Sequence, residues 1–231
     1  LVGAGGMVYA YQRTSIPDPN ADFTTNTSFL YWGDGKTKMA SLAIQNRQSI
    51  DYDTMPQSIK DAVVAAENRT FWTDPGISVP GMVRAAWKIA TGGDVQGGST
   101  ITQQYIKIYY LTSDQTVTRK FKELLLAVKL GREVPKEEIL ESYLNTIYFG
   151  RGAYGIQAAS RAYFNVDASK LSVPQAAVLA SVINNSSIYD PSVAKGNKER
   201  LLERYRYVLD GMLQGARLHS PDWVCGKLDE I

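Results

Sequence analysis

Glu67 is the residue whose neighbours best fit it to act as a base. It follows Val63 by four positions, so it shares a helical face with an apolar residue near the end of that helix, and Phe71 and Trp72 come after it. Partial desolvation and a helix C-terminus both disfavour a charged carboxylate, which would fit Glu67 to accept a proton near neutral pH. A surface glutamate with its stem laid on apolar neighbours fits the same pattern. The segment Gly97–Gln104, GGSTITQQ, is a second candidate. Its two glycines let a ligand approach the backbone, and the free amides of a helix start favour an anion. Lys107 stands one turn further along the polar stripe; a well-capped solvated helix is the alternative. Counted from Gly93, Ser99 stands where a nucleotide phosphate loop requires lysine, which excludes that motif. The third candidate is Arg119-Lys120-Phe121-Lys122-Glu123, a carboxylate flanked by cations at helical spacing. On a cleft wall such cations grip a pyrophosphate while Glu123 orients them or a sugar hydroxyl. On a free surface they form an ion-pair stripe worth a few tenths of a kcal/mol per pair, roughly.

These residues need helices to hold them. Pro56 suits the first turn of a helix whose Ile59, Ala62, Val63 and Ala66 fall on one face. Thr100 and Gln103 form a capping-box pattern that starts a second helix with Ile101, Tyr105 and Ile108 as its apolar stripe and Thr100, Gln103, Gln104 and Lys107 on another side. A third helix should turn Val117, Phe121, Leu124, Leu125 and Val128 inward and end near Gly131. Pro135 opens a fourth with Ile139, Leu140, Tyr143, Leu144 and Ile147. Ser172 and Gln175 bracket Pro174 at the start of an Ala-rich helix, and a late helix carrying Leu201, Leu202, Tyr205, Val208, Leu209 and Met212 should end at Gly215. Residues 20 to 50 are the least helical and suit a strand or hairpin. The expected class is mainly α with a minor extended N-terminal element.

In this order the pieces resemble the motifs of family 51 peptidoglycan glycosyltransferases, the glycan-polymerising domains of class A penicillin-binding proteins. Glu67 with Phe71 and Gly76, then Gly97 to Gln104 with Lys107, then Arg119 to Glu123 resemble the first three motifs. Ile139-Leu140, Tyr143-Leu144-Asn145, Tyr148-Phe149-Gly150, Gly152 and Gly155-Ile156 are similar to the fourth, and Leu179-Ala180 with Tyr189-Asp190-Pro191 to the fifth. The resemblance implies a lysozyme-like helical domain with a small membrane-associated jaw, acting on lipid II and on lipid-linked nascent glycan. It implies that Glu67 is the catalytic base and Glu123 the second required carboxylate, an organiser rather than a nucleophile. It assigns substrate binding to Phe71, Ser99, Thr100, Gln103, Gln104, Lys107, Arg119, Lys120 and Asn145. The pattern is not followed throughout. The first motif commonly has Asp after the catalytic Glu and His seven residues after it, where this chain has Asn68 and Asp74. Ile108 stands where the second usually has Asn, and Asn184-Asn185-Ser186-Ser187 replaces a proline-rich segment of the fifth. These departures point to an actinobacterial-like branch.

Composition bounds the rest. A chain of 231 residues, 44% apolar and 21% charged, can bury one core with a small annex. Its net charge of +2 gives no whole-molecule field for nucleic acid, and its single cysteine, Cys225, excludes an intrachain disulfide. Lone His219, beside Ser220-Pro221, reads as an exposed turn residue. A divalent cation such as Mg2+ would suit a pyrophosphate, although no acidic cluster demands one. Leu1–Tyr11 is uncharged and far shorter than the roughly 20 apolar residues of a membrane span; it reads as the outer end of an anchor or as a buried strand or helix. The expected organisation is anchor end and linker at 1–19, glycosyltransferase domain at 20–215, and at 216–231 the start of a linker toward a transpeptidase domain, with the catalytic part outside the cell membrane among other cell-wall synthesis proteins. A lytic glycan hydrolase on the same scaffold and a silent glycan- or lipid-binding module are the rival readings.

Overall fold

The computed structural model of the chain describes residues 28–31, 38–42, 46–92, 98–109 and 117–219. The anchor and linker expected at 1–19, the first glycine of the GGSTITQQ segment and the linker from 220 onward lie outside them. Within them the order is β1 (Ser28–Tyr31), β2 (Lys38–Leu42), β3 (Asn46–Arg47), α1 (Gln57–Glu67), α2 (Val79–Ala90), α3 (Ile101–Tyr109), α4 (Val117–Glu133), α5 (Lys136–Thr146), β4 (Ala153–Tyr154), α6 (Ile156–Phe164), α7 (Val173–Ile183), α8 (Ser186–Tyr189) and α9 (Asn197–His219). The mainly helical class expected from periodicity is what forms, and β1 and β2 pair antiparallel in the region read as a hairpin.

The centre is α1, which packs against both α7 and α9. Ile59, Ala62 and Val63 lose all exposure there, as the spacing requires, and each fully buried Ile or Val contributes about 1.5–3 kcal/mol. The capping box of α7 forms, with Ser172 accepting from the Gln175 amide. Pro135 and Pro56 stand at the N-caps of α5 and α1. On α5, Ile139, Leu140, Tyr143 and Leu144 are buried.

Two expectations about α4 fail for physical reasons. Its inward face is not the stripe through Phe121 but Leu126, Ala127 and Leu130, with Glu123 buried on the same side and Phe121 exposed. The ion pair of Glu123 with Lys120, at 3.1 Å, makes a charged residue acceptable on that face, whereas a pattern search follows only the apolar residues. Gly131 is not a cap either, since the helix continues to Glu133. A Cβ on Gly131 would lie 2.7 Å from the Cα of Gly76, so the glycine is there to let α4 press against the Gly76 turn. Likewise α9 passes Gly215 and ends at His219, which is thus a helix residue rather than a turn residue, and Leu202, read as inward, is exposed.

Asn145 joins the N-terminal chain to α5. Its Oδ1 accepts from the Ile50 amide at 3.1 Å and its Nδ2 donates to the Ile50 carbonyl at 2.9 Å, so one side chain imitates a neighbouring strand. The parallel pairing of Asn46 with Ala153 and Arg47 with Tyr154 continues the attachment.

Candidate active site

A cleft of about 1470 Å³ runs between the end of α1, the start of α3, α2 and the turn after α5. Glu67, the last residue of α1, stands in its wall with only 7% of its side chain exposed. Its Oε2 accepts from Gln104 Nε2 at 2.7 Å, and its Oε1 accepts from Arg204 Nη2 at 3.1 Å. The orientation of Gln104 is fixed from behind, because Tyr143 donates its hydroxyl to Gln104 Oε1 at 2.9 Å and leaves the amide nitrogen for Glu67. Burial, and secondly the charge of Glu67, push the Tyr143 hydroxyl well above the ordinary tyrosine value, so it remains a donor. Arg204 also donates to the Ala66 carbonyl at 2.9 Å, covering one of the carbonyls at the end of α1. Each oxygen of the buried Glu67 side chain thus has one side-chain donor.

The start of α3 supplies the adjacent wall. The capping box is present, with Gln103 N donating to Thr100 Oγ1 at 3.1 Å and Thr100 N to Gln103 Oε1 at 2.8 Å. Thr100 Oγ1 donates in turn to the Gly76 carbonyl at 2.6 Å. Thr100 and Gln103 are buried while Ser99 and Lys107 are exposed, and all four border the cleft. Lys120 also borders it, with Glu123 buried behind. Arg119 lies in α4, but its side chain is outside those described.

Besides Glu123, two described residues of the expected set do not line the cleft. Phe71 is fully buried, edge-on to Trp72 with ring centroids 5.1 Å apart, and Asn145 is occupied with Ile50. Both hold up the site rather than face it. Among the described residues no three His, Cys, Asp or Glu side chains gather as a metal-binding group.

The sequence reading missed several participants. Arg204 gave no signal, because it stands 137 positions from Glu67 and is one of several charged residues on a late helix. Tyr143 was legible as a core residue and as part of the fourth motif, but not as the partner of Gln104. Arg84, Tyr148 and Tyr154 also border the cleft, the two tyrosine rings 4.7 Å apart. Asp74 accepts from Asn68 Nδ2 at 2.8 Å, from the Gly76 amide at 2.8 Å and from Lys136 Nζ at 3.1 Å. Beyond the cleft wall, Arg151 forks onto Asp190 with two bonds of 2.7 Å, and Tyr163 donates to the same carboxylate at 3.2 Å. The Arg151 bonds hold the Asp190 carboxyl well below the ordinary range against the opposing effect of burial. This clasp joins the turn carrying Tyr148 and Tyr154 to the segment carrying Tyr189.

Comparison with known proteins identifies the relatives of the chain. A family profile described as Transglycosylase matches residues 35–213. Penicillin-binding protein 1A of Mycobacterium tuberculosis is 41% identical over 219 residues, which cover 92% of this chain and 26% of that protein. Penicillin-binding protein 1F of Bacillus subtilis is 43% identical over 165 residues, 71% of this chain and 23% of that protein. The chain therefore spans about a quarter of the length of these curated relatives. A crystal structure of penicillin-binding protein 1A from Haemophilus influenzae aligns with a TM-score of 0.41 and 19% identity, over 87% of this chain and 20% of that one.

Proposed function

The chain belongs to the transglycosylase family, and on that premise we propose that it polymerises lipid II into β-1,4 glycan strands, with Glu67 as the base. Glu67 takes the proton from the 4-hydroxyl of the acceptor sugar as that oxygen bonds to the anomeric carbon of the donor. The bond from that carbon to the α-linked pyrophosphate breaks, its electron pair stays on the phosphate oxygen, and configuration at the carbon inverts. Undecaprenyl pyrophosphate leaves. Lys107, Lys120 and Arg119 neutralise the charge that grows on it, Ser99, Gln103 and Gln104 contribute hydrogen bonds, and Glu123 organises Lys120. The observation that carries this reading is the Glu67 carboxylate, held by Gln104 and Arg204 in the cleft that Lys107 and Lys120 border. A glycan hydrolase has no pyrophosphate to stabilise and would leave these cations without a role.

The membrane-side jaw belongs to the same proposal. Val79, Val83 and Trp87 recur every four residues along α2 and stay exposed, Trp87 at 72%, with Met82 beside them and Phe121 of α4 also exposed. Among the described residues no helix is long and apolar enough to cross a membrane; an apolar stripe of this kind lies in the plane of the interface instead. We place it in the outer leaflet, where a lipid-linked substrate is delivered, with an anchor before residue 20 and a transpeptidase domain after the described residues in the parent protein.

The test is incubation of the native chain and Glu67→Gln with labelled lipid II in detergent, resolving products by length. Polymer from the native chain and a loss of about a hundredfold or more in the variant are expected, since general-base catalysis contributes on the order of 10²–10⁴-fold. Lipid II bound by a folded native chain without polymer would favour a binding module, and shortening of preformed glycan a hydrolase.

A further inference from the structure

The two positions at which the first motif departs from its family pattern bond to each other. Asn68 follows Glu67, ends α1 and is buried. Because a carboxylate only accepts, the Asn68 amide presents its nitrogen to Asp74 Oδ2, at 2.8 Å, while its Oδ1 accepts from Thr70 Oγ1 at 3.1 Å. Asp74 Oδ1 accepts from the Gly76 amide at 2.8 Å and from Lys136 at 3.1 Å. Lys136, at the start of α5, also lies 4.7 Å from the centroid of the Phe71 ring. The Gly76 carbonyl accepts from Thr100, which caps α3, and Gln104 of α3 reaches back to Glu67. The bonds close a ring that begins and ends at Glu67.

We propose that Asn68, Asp74 and Lys136 form a positioning unit for the Glu67 base, holding the end of α1 against the start of α3 so that its carboxylate meets Gln104 at a fixed angle. The unit must contain one carboxylate and one neutral amide. The Asp74 and Lys136 side chains are only 6% and 15% exposed, so a charge at 74 needs its cation, and a second carboxylate at 68 would face the first at hydrogen-bond distance. Asn68 and Asp74 also border the cleft, but in this proposal each of the three acts through Glu67, and the inference rests on Glu67 being the base.

The experiment measures kcat and KM on labelled lipid II, with thermal midpoints, for Asn68→Asp, Asp74→Asn, the double variant and Glu67→Gln. In Asn68→Asp two carboxylates oppose each other, and kcat should fall about tenfold or more with KM within about twofold, because misplacing a catalytic group acts on the chemical step. Asp74→Asn, which leaves Lys136 without its counter-charge, should also lower kcat. The double variant exchanges donor and acceptor, restores the bond and should recover kcat to within about fivefold of native. Native kcat in Asn68→Asp, or a folded double variant no better than the single, would overturn the unit. Should the single variants not fold, the double variant decides alone, by the same recovery or its absence. Full activity in Glu67→Gln would instead remove the base assignment itself, whatever the other variants do.

Discussion

At the scale of single residues, the proposed role of Glu67 depends on what lies behind it. Gln104 can offer its nitrogen only because Tyr143 occupies its oxygen. Tyr143→Phe should therefore leave a half-buried amide oxygen without its donor, at a cost of about 1 kcal/mol, and free Gln104 to turn over. The expected result is a lowered thermal midpoint together with a several-fold fall in polymerisation rate, roughly; an unchanged rate in a destabilised but folded variant would reduce Tyr143 to a packing role. Sequence reasoning singled out Glu67, Gln104 and Lys107, which border the cleft, because each belongs to a short contiguous pattern. It could not find Arg204 or the pairing of Asn68 with Asp74, since neither leaves a local periodicity. Phe71 and Asn145 show the converse. Their place in the motifs marks them as needed, but in the fold the need is for a buried ring and a clamp on Ile50.

At the scale of elements, most helices were legible because apolar spacing and caps agree, as they do for α1, α3, α5 and α7. The register of α4 was not. Its most apolar stripe passes through Phe121, yet the buried side carries Glu123, because an element that borders a polar cleft need not bury its most apolar face. On α2 the same logic is testable. Val83→Glu and Trp87→Glu alter exposed side chains, so the thermal midpoint should stay within about a degree or two. Co-sedimentation with phosphatidylglycerol vesicles should fall sharply, and retention of full vesicle binding would show that the stripe does not enter lipid.

At the scale of the whole molecule, ionisable groups set the limits of stability. Asp190 has a folded value below its unfolded one, so its contribution is complete above the ordinary carboxylate value of about 4 and is lost as pH falls from there. Tyr52 is pushed up to about 12, chiefly by burial and then by Glu137. Its folded value is the higher one, so its contribution is complete below about pH 10 and is lost as pH rises from there; Tyr143 and Tyr163 act in the same direction. Urea unfolding across pH should give a plateau from about 4 to 10 with a decline on either side. Asp190→Asn should flatten the acid limb, and an acid limb unaltered by that change would place the loss in other carboxylates.

The contact between Glu67 and Arg204 joins the first long helix of the fold to the last, across 137 positions of chain. A ribosome that has released α1 through α8 has produced every cleft residue but Arg204 and Tyr207, and α9 must still dock on α1 before the carboxylate gains its second donor. On the proposed reading, catalytic competence is thus a late event in the life of each molecule. A partly synthesised or C-terminally clipped chain would carry the proposed base without its guanidinium, and under the proposed reaction polymerisation would wait for a finished fold.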